Sequence, residues 1–237
     1  MKINIGFIII VFLVLIGEIG LHELNHQDSL WTNNCRIISL ILMGTWYYIN
    51  QKGNFNRIQK AFLISILLPI IVSLSSYLIP EKEAIIINIF INMGILMLWI
   101  YAFKHLGASI TLKDNNQTLQ KLIPAFFVLP LLYYYFSLYQ ALPRIYAIIV
   151  LVYILIFSYT AVLSAFLPLK EDKKFWLIFG VILLVIVNIL NGFHTFLQNL
   201  VWAYPVSRTL TVASKCMMIY GMICYGESKP LSSVGSD

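Results

Sequence analysis

The chain has 237 residues, of which 60% are hydrophobic and only 11% charged, with a net charge of +6. A water-soluble fold of this size still exposes roughly a quarter to a third of the surface of its unfolded chain, so Ile, Leu and Phe would meet water almost everywhere. That excludes an ordinary soluble domain, and the sixteen Lys and Arg, scattered singly between apolar runs without a basic face, exclude a nucleic-acid partner.

A helix rising about 1.5 Å per residue needs about twenty apolar residues to cross the hydrocarbon of a bilayer. Eight runs meet or approach that length, near residues 3–22, 35–50, 59–79, 84–103, 121–139, 143–166, 174–198 and 204–226. The first follows Lys2 and has no small-residue cleavage site after Ile16, so it reads as a spanning helix rather than a secretory signal. The second is the shortest, and Arg36 and Lys52 at its ends can snorkel outward to lengthen it. Within the third, Pro69 offers a kink. The connections at 80–83 and 140–143 are so short that their flanking helices must be antiparallel neighbours. With no linker and no internal repeat, the expectation is one all-α domain, a polytopic membrane bundle of eight transmembrane helices, followed by a loose tail at 227–237.

Cytoplasmic loops collect Lys and Arg, and a wrong number of spans would scramble that alternation. Here it survives. Lys52, Arg57 and Lys60 fall in the second loop, Lys104, Lys113 and Lys121 in the fourth, and Lys170, Lys173 and Lys174 in the sixth. With Lys2 and Lys229 they make eleven on one side, against four on the other, Arg36, Lys82, Arg144 and Arg208; Lys215 alone lies inside a span. Both termini are therefore expected in the cytoplasm, and the membrane is expected to be a bacterial inner membrane.

An ionisable or amide group in hydrocarbon costs a few kcal/mol, so each should face the bundle interior or a wet cavity. Glu18 in the first helix, Asn88 and Asn92 in the fourth, Asn188, Asn191, His194 and Gln198 in the seventh, and Lys215 in the eighth form that set. Positions 188, 191 and 195 share one face of the seventh helix, and 191, 194 and 198 an adjoining one. Glu18 and His194 come at similar depth near the outer surface and are candidates for a shared pocket, in catalytic roles with Asn188. Asn92, Asn191, Gln198 and Lys215 are candidate ligand contacts, and Glu18 is a candidate partner for the Lys215 charge. The bland alternative is that these amides only bond to neighbouring helices, at about 1 kcal/mol per bond.

Residues 22–26 read His22-Glu23-Leu24-Asn25-His26, the spacing that puts two imidazoles on one helix face beside a glutamate, as in zinc peptidases. The motif falls where the first helix leaves the membrane, among poor helix continuers, and lacks a clear third ligand, so a plain polar loop is the favoured reading. Cys35, Cys216 and Cys224 lack metal-ligand spacing and read as small buried residues. No phosphate-cradling loop or nucleophile elbow occurs, and no cofactor is expected.

Arg36-Ile37 opens the second helix, Ser65-Ile66-Leu67-Leu68-Pro69 lies in the third, Gly94 to His105 in the fourth, and Gly180 precedes Val187-Asn188 in the seventh. Laid on eight helices in about 230 residues, this pattern resembles the YhhN-type family, which includes the lysoplasmalogenases, membrane hydrolases that cleave the vinyl ether bond of lysoplasmalogens. The resemblance is architectural and covers most of the chain. It implies an intrabundle cavity holding a lipid or lysolipid, with membrane lipids as the partners. Where the family places aspartates in its third and seventh helices, this chain has Pro69 and Asn188. Protonating a vinyl ether and activating water call for paired acids, so the resemblance carries the fold further than the activity.

Three readings stay open beside the lipid-binding bundle: an active vinyl ether hydrolase using Glu18 and His194, a small-solute or ion carrier built around Lys215, and, more remotely, the zinc peptidase. The orientation has a direct check. A reporter enzyme that works only outside the cytoplasm, fused at Gly235, is expected to be inactive.

Overall fold

The computed structural model describes residues 5–25, 30–51, 55–75, 77–79, 81–110, 123–169, 171–198 and 200–223. Among them there is no strand. The helices are α1 (Ile5–Asn25), α2 (Leu30–Asn50), α3 (Arg57–Leu67), α4 (Pro69–Ser75), α5 (Glu81–His105), α6 (Ile123–Tyr133) with a π-helical turn at Tyr134–Leu138, α7 (Arg144–Ala165), α8 (Glu171–Phe196) and α9 (Ala203–Ile223). Each of the eight expected runs falls on one helix or on a broken pair. The tail at 227–237 lies outside the described residues.

Local chemistry explains the ends and breaks. Asn56 caps α3 by accepting from the Ile58 and Gln59 amides, while the Gln59 side chain accepts from the Asn56 amide, a reciprocal capping box. The third run divides at Leu68 because Pro69 has no amide hydrogen to continue the ladder. In the fifth run, Pro130 lies inside α6 and the helix then widens into its π turn, where Tyr139 N–H bonds to Tyr134 O at 2.8 Å. Helix α5 stops at Gly107, whose φ of +93° lets Ala108 N–H reach back to Phe103 O and Gly107 N–H to Lys104 O.

Five helical stretches are long and apolar enough to cross a membrane: Ile5–Leu24, Arg57–Ser75, Glu83–His105, Arg144–Ala165 and Lys174–Phe196. Helices α2 and α9 fall outside that group because average hydropathy counts a polar residue against a span wherever it points. Thr32, Asn33 and Ser39 of α2 and Ser207 and Ser214 of α9 are all buried. The same effect corrects the second run, which begins at Leu30 and not near 35, since its polar first turn faces inward.

The outer surface is apolar. On α1, Ile9, Leu13 and Ile16 are 52%, 61% and 66% exposed, and on α7 the row Ile145, Ile148, Val152 and Leu155 faces out at helical spacing. Such stripes suit lipid and not water.

Helix α9 packs against α8, α1 and α2; α2 meets α3 and α4, α3 meets α5, α5 meets α7 and α7 meets α8, which closes the circuit, while α6 joins it through α7 and α8. Side-chain contacts fix the alternation of the rods. The Gln51 amide at the end of α2 donates to the Met222 and Ile223 carbonyls at the end of α9, and Gly107 lies against Pro168. At the opposite end Tyr77 Oη donates to Leu30 O, and His22 stacks on Tyr204.

Between helices in lipid the hydrophobic effect gives little drive, and close packing of small residues takes its place. The α8–α9 pair shows this. A Cβ on Gly180 would lie 2.8 Å from Met218 Cγ and 2.9 Å from the Ser214 carbonyl oxygen, and one on Gly221 would lie 2.8 Å from Leu177 Cβ. Ser214 Oγ donates to Gly180 O at 2.7 Å across the same contact. Gly180→Ala is expected to destabilise the protein by about 1–3 kcal/mol through overpacking, whereas Gly17→Ala, which meets nothing within 4 Å, should leave stability unchanged or slightly raised. Reversible unfolding of both variants in mixed micelles checks the contrast.

Candidate functional site

Two polar places stand out in the apolar bundle. The first surrounds Glu18 of α1, whose side chain is wholly buried. An unpaired carboxylate is untenable in such surroundings, and four donors converge on it. Arg208 of α9 grips both oxygens, Nε to Oε1 at 2.6 Å and Nη2 to Oε2 at 2.9 Å, in the fork geometry that matches guanidinium to carboxylate. Arg36 of α2 adds Nε to Oε1 at 3.1 Å, and Tyr204 Oη donates to Oε1 at 2.9 Å.

The cluster is braced from behind. Arg36 Nη2 donates to Tyr204 Oη and its Nη1 to Asn33 Oδ1, while the His22 ring lies flat on Tyr204 with centroids 3.4 Å apart. Glu18 therefore ties α1, α2 and α9 together. Oε1 already accepts three hydrogen bonds and Oε2 one, so the carboxylate is engaged with protein donors.

The second place is a cavity of about 190 Å³ among α5, α6 with its π turn, α7 and α8. Its polar lining is neutral: the amides of Asn88 and Asn92 from α5 and of Asn188 and Asn191 from α8, with the hydroxyls of Tyr133, Tyr153 and Thr195. Asn188 Oδ1 accepts from Tyr153 Oη at 2.6 Å and its Nδ2 donates to Leu184 O. Asn92 Nδ2 donates to Asn88 Oδ1 at 2.6 Å and to Asn88 O. Among the described residues this leaves the Asn88 amino group, the Asn92 carbonyl and both ends of the Asn191 amide without a protein hydrogen bond. Tyr133 Oη reaches Ile189 O at 3.1 Å, and Gly192 makes room for it, since a Cβ there would stand 3.3 Å from that hydroxyl. Ile85, Ile154, Phe157 and Phe196 supply apolar wall.

The two faces foreseen on the seventh span separate in function. Asn188, Asn191 and Thr195 line the cavity. His194 does not; its Nδ1 accepts from Leu200 N–H at 3.0 Å and caps the turn into α9. Gln198 is exposed beyond the end of α8. Glu18 and His194 have separate partners on separate helices, so the structure does not bring them into one hydrogen-bonded site. Lys215 does not line the cavity, and it makes no hydrogen bond or ion pair among the described residues. Of the zinc-peptidase motif, His22 stacks on Tyr204 and Glu23 lies 3.8 Å from His22 Nδ1, while His26 lies outside the described residues. Among the described residues no three His, Cys, Asp or Glu side chains are grouped to hold a metal. Cys35 and Cys216 are free thiols, and Cys224 also lies outside the described residues.

Arg36 and Arg208, counted as outward-facing charges at the outer ends of their spans, instead turn inward onto Glu18. The available signal was the carboxylate itself: the one acid well inside a span requires a cation, and Tyr204 and Arg208 stand four residues apart on one helix face. Tyr133 lines the cavity along with Tyr153.

Fold and site together are those of an apolar multi-helix bundle compatible with a membrane protein. Compared with known protein families, curated proteins and solved structures, the chain matches none of them.

If Glu18 is the pivot of three helices, removing it should cost more than removing one of its partners. Glu18→Gln is expected to lower stability by about 3–5 kcal/mol, because two buried guanidinium groups lose their counter-charge. Arg36→Met should cost distinctly less, since Arg208 still neutralises the carboxylate. Equal losses in a denaturant titration would contradict the pivot role.

Proposed function

We infer that this protein is a multi-pass membrane protein of eight spans with both termini in the cytoplasm of a bacterial cell, and that its amide-lined cavity holds the glycerol region of a membrane lipid or lysolipid. The carrying observation is the cavity itself. Four carboxamides, two tyrosine hydroxyls and the Thr195 hydroxyl meet apolar walls there, and among the described residues none of the lining is a carboxylate, an imidazole or a cation. Such a site offers hydrogen bonds to hydroxyl, ester and ether oxygens and no counter-charge to an ion.

Size supports the same reading. A cavity near 190 Å³ lies below the roughly 300–1,000 Å³ of pockets that enclose a drug-sized ligand. It therefore suits a glycerol-sized polar group, with the chain of the amphiphile lying along the exposed apolar faces of neighbouring helices. The resemblance to lysoplasmalogenases supports a lysolipid as ligand. Vinyl ether hydrolysis would need an acid at the bond, and the described lining supplies amides, phenols and the Thr195 hydroxyl, so the reading is of binding without that chemistry. The eight-span topology draws support from the eleven-to-four bias of Lys and Arg and from the alternation of the rods.

Asn191→Leu is the cleanest test, because Asn191 has no hydrogen bond to lose among the described residues and its change should spare the fold. Lysolipid binding by purified protein, followed by native mass spectrometry, is expected to weaken by roughly tenfold in Asn191→Leu and in Asn92→Leu, as for one or two lost hydrogen bonds. Unchanged affinity in both would remove the cavity from consideration, and release of fatty aldehyde from a lysoplasmalogen would restore the hydrolase reading.

A further inference from the structure

The direction of each amide on α5 is fixed by its partner. Asn92 Nδ2 donates to the backbone oxygen of Asn88, a group that only accepts, so the atom Asn92 has left over is its carbonyl oxygen. The same nitrogen donates to Asn88 Oδ1, which leaves Asn88 its amino group. Helix α5 therefore presents one acceptor and one donor, four residues apart on one face. On α8, Asn191 lines the same cavity, and neither end of its amide has a hydrogen bond among the described residues.

Most other donors of the lining are spent elsewhere. Tyr153 Oη donates to Asn188 Oδ1, Tyr133 Oη to Ile189 O, and the Asn188 amino group to Leu184 O. The Thr195 hydroxyl, one turn beyond Asn191, can donate or accept. Asn88 and Asn191 are exposed, yet both lie in stretches long and apolar enough to cross a membrane. Lipid tails offer an amide no hydrogen bond. A matching occupant brings donors for Asn92 Oδ1 and Asn191 Oδ1 as well as acceptors for the two amino groups.

Ester, ether and phosphodiester oxygens only accept. An ammonium group donates, but the described lining holds no counter-charge for it. A hydroxyl does both, giving its proton to a carbonyl while its lone pair takes an amino hydrogen. Two carbonyls call for two hydroxyls.

We propose that the ligand of the amide cavity is an uncharged single-chain glycerolipid, a monoacyl- or monoalkylglycerol, held by one free hydroxyl at Asn88 and Asn92 and by the other at Asn191. Given the reading of this cavity as a glycerol site, on which the proposal rests, the number of free hydroxyls selects the lipid. The glycerol of a diacyl phospholipid has none, that of a lysophospholipid has one, and that of a monoacylglycerol has two. The sugar of an alkyl glucoside carries adjacent hydroxyls as well and is the competing source of the same chemistry.

The test exposes the detergent-purified full chain to monooleoylglycerol, to its dimethyl ether with both hydroxyls capped, to oleoyl lysophosphatidylcholine and to oleyl glucoside, with binding read by native mass spectrometry. Monooleoylglycerol is expected to bind about tenfold more tightly than the lysophospholipid and about a hundredfold more tightly than the dimethyl ether, roughly tenfold for each donor lost. Asn191→Leu should weaken monooleoylglycerol by about tenfold or more and the dimethyl ether by less, so that the preference between them shrinks. Equal affinity for monooleoylglycerol and its dimethyl ether in the unmutated protein would overturn the proposal without recourse to any variant. A lysophospholipid bound as tightly as monooleoylglycerol, with both weakened by Asn191→Leu, would overturn the two-hydroxyl ligand and leave the lipid-binding reading standing. Tighter binding of the glucoside would overturn glycerol as the source of the hydroxyls. Binding of none of the four, or of all four unchanged in Asn191→Leu, would bring down the lipid-binding reading and the proposal with it.

Discussion

One buried carboxylate organises the charged half of this bundle. Glu18 is fully enclosed, and a lone carboxylate in such surroundings would be several kcal/mol unfavourable. Its cost is offset only where α1, α2 and α9 meet in a single arrangement, with the Arg208 fork, Arg36 Nε and Tyr204 Oη all at hydrogen-bond distance. Apolar side chains pack in many ways and lipid does not choose among them; a bidentate ion pair fixes rotation and depth at once. The cluster thereby selects how the first two helices dock on the last one.

Elsewhere the same demand is met by neutral groups. Trp99 Nε1 donates to Ser65 Oγ, Ser214 Oγ to Gly180 O, and Gln51 closes the carbonyl end of α9. Each bond joins different segments of the chain; Ser214 thus helps to hold α9 on α8, whereas Ser39 and Ser207 bond within their own helices. The amide cavity departs from this pattern. Asn88, Asn92 and Asn191 keep donors and acceptors unspent beside apolar wall, and the lining includes Tyr133 and Leu138, which flank and end a π turn, a deviation that recurs at functional sites.

Legibility from sequence was uneven for physical reasons. Periodicity and run length located the helices, because hydrophobic segments of spanning length have few other solutions in lipid. The face carrying Asn188, Asn191 and Thr195 could be read from spacing alone, since it lies on one helix. Tyr153 and Asn88 could not be matched to that face, for their contacts cross between helices. Arg36 and Arg208 were misplaced as anchors for a related reason: hydropathy ranks a residue by type, and an inward arginine looks the same as one that snorkels out.

What the sequence determined by itself is the helical, apolar character of the chain and the short list of polar residues that must be explained. Backbone hydrogen bonding and hydrophobic run length are local quantities, and local quantities are written in order along the chain. Only the tertiary structure decided that Glu18 belongs with Arg36 and Arg208, that His194 caps a turn, and that the asparagines of α5 and α8 face each other across one cavity. Those pairings depend on the rotation of each helix about its own axis, which is set by close approach at contacts such as Gly180 and Gly221 and by ion pairs between residues as distant as 18 and 208.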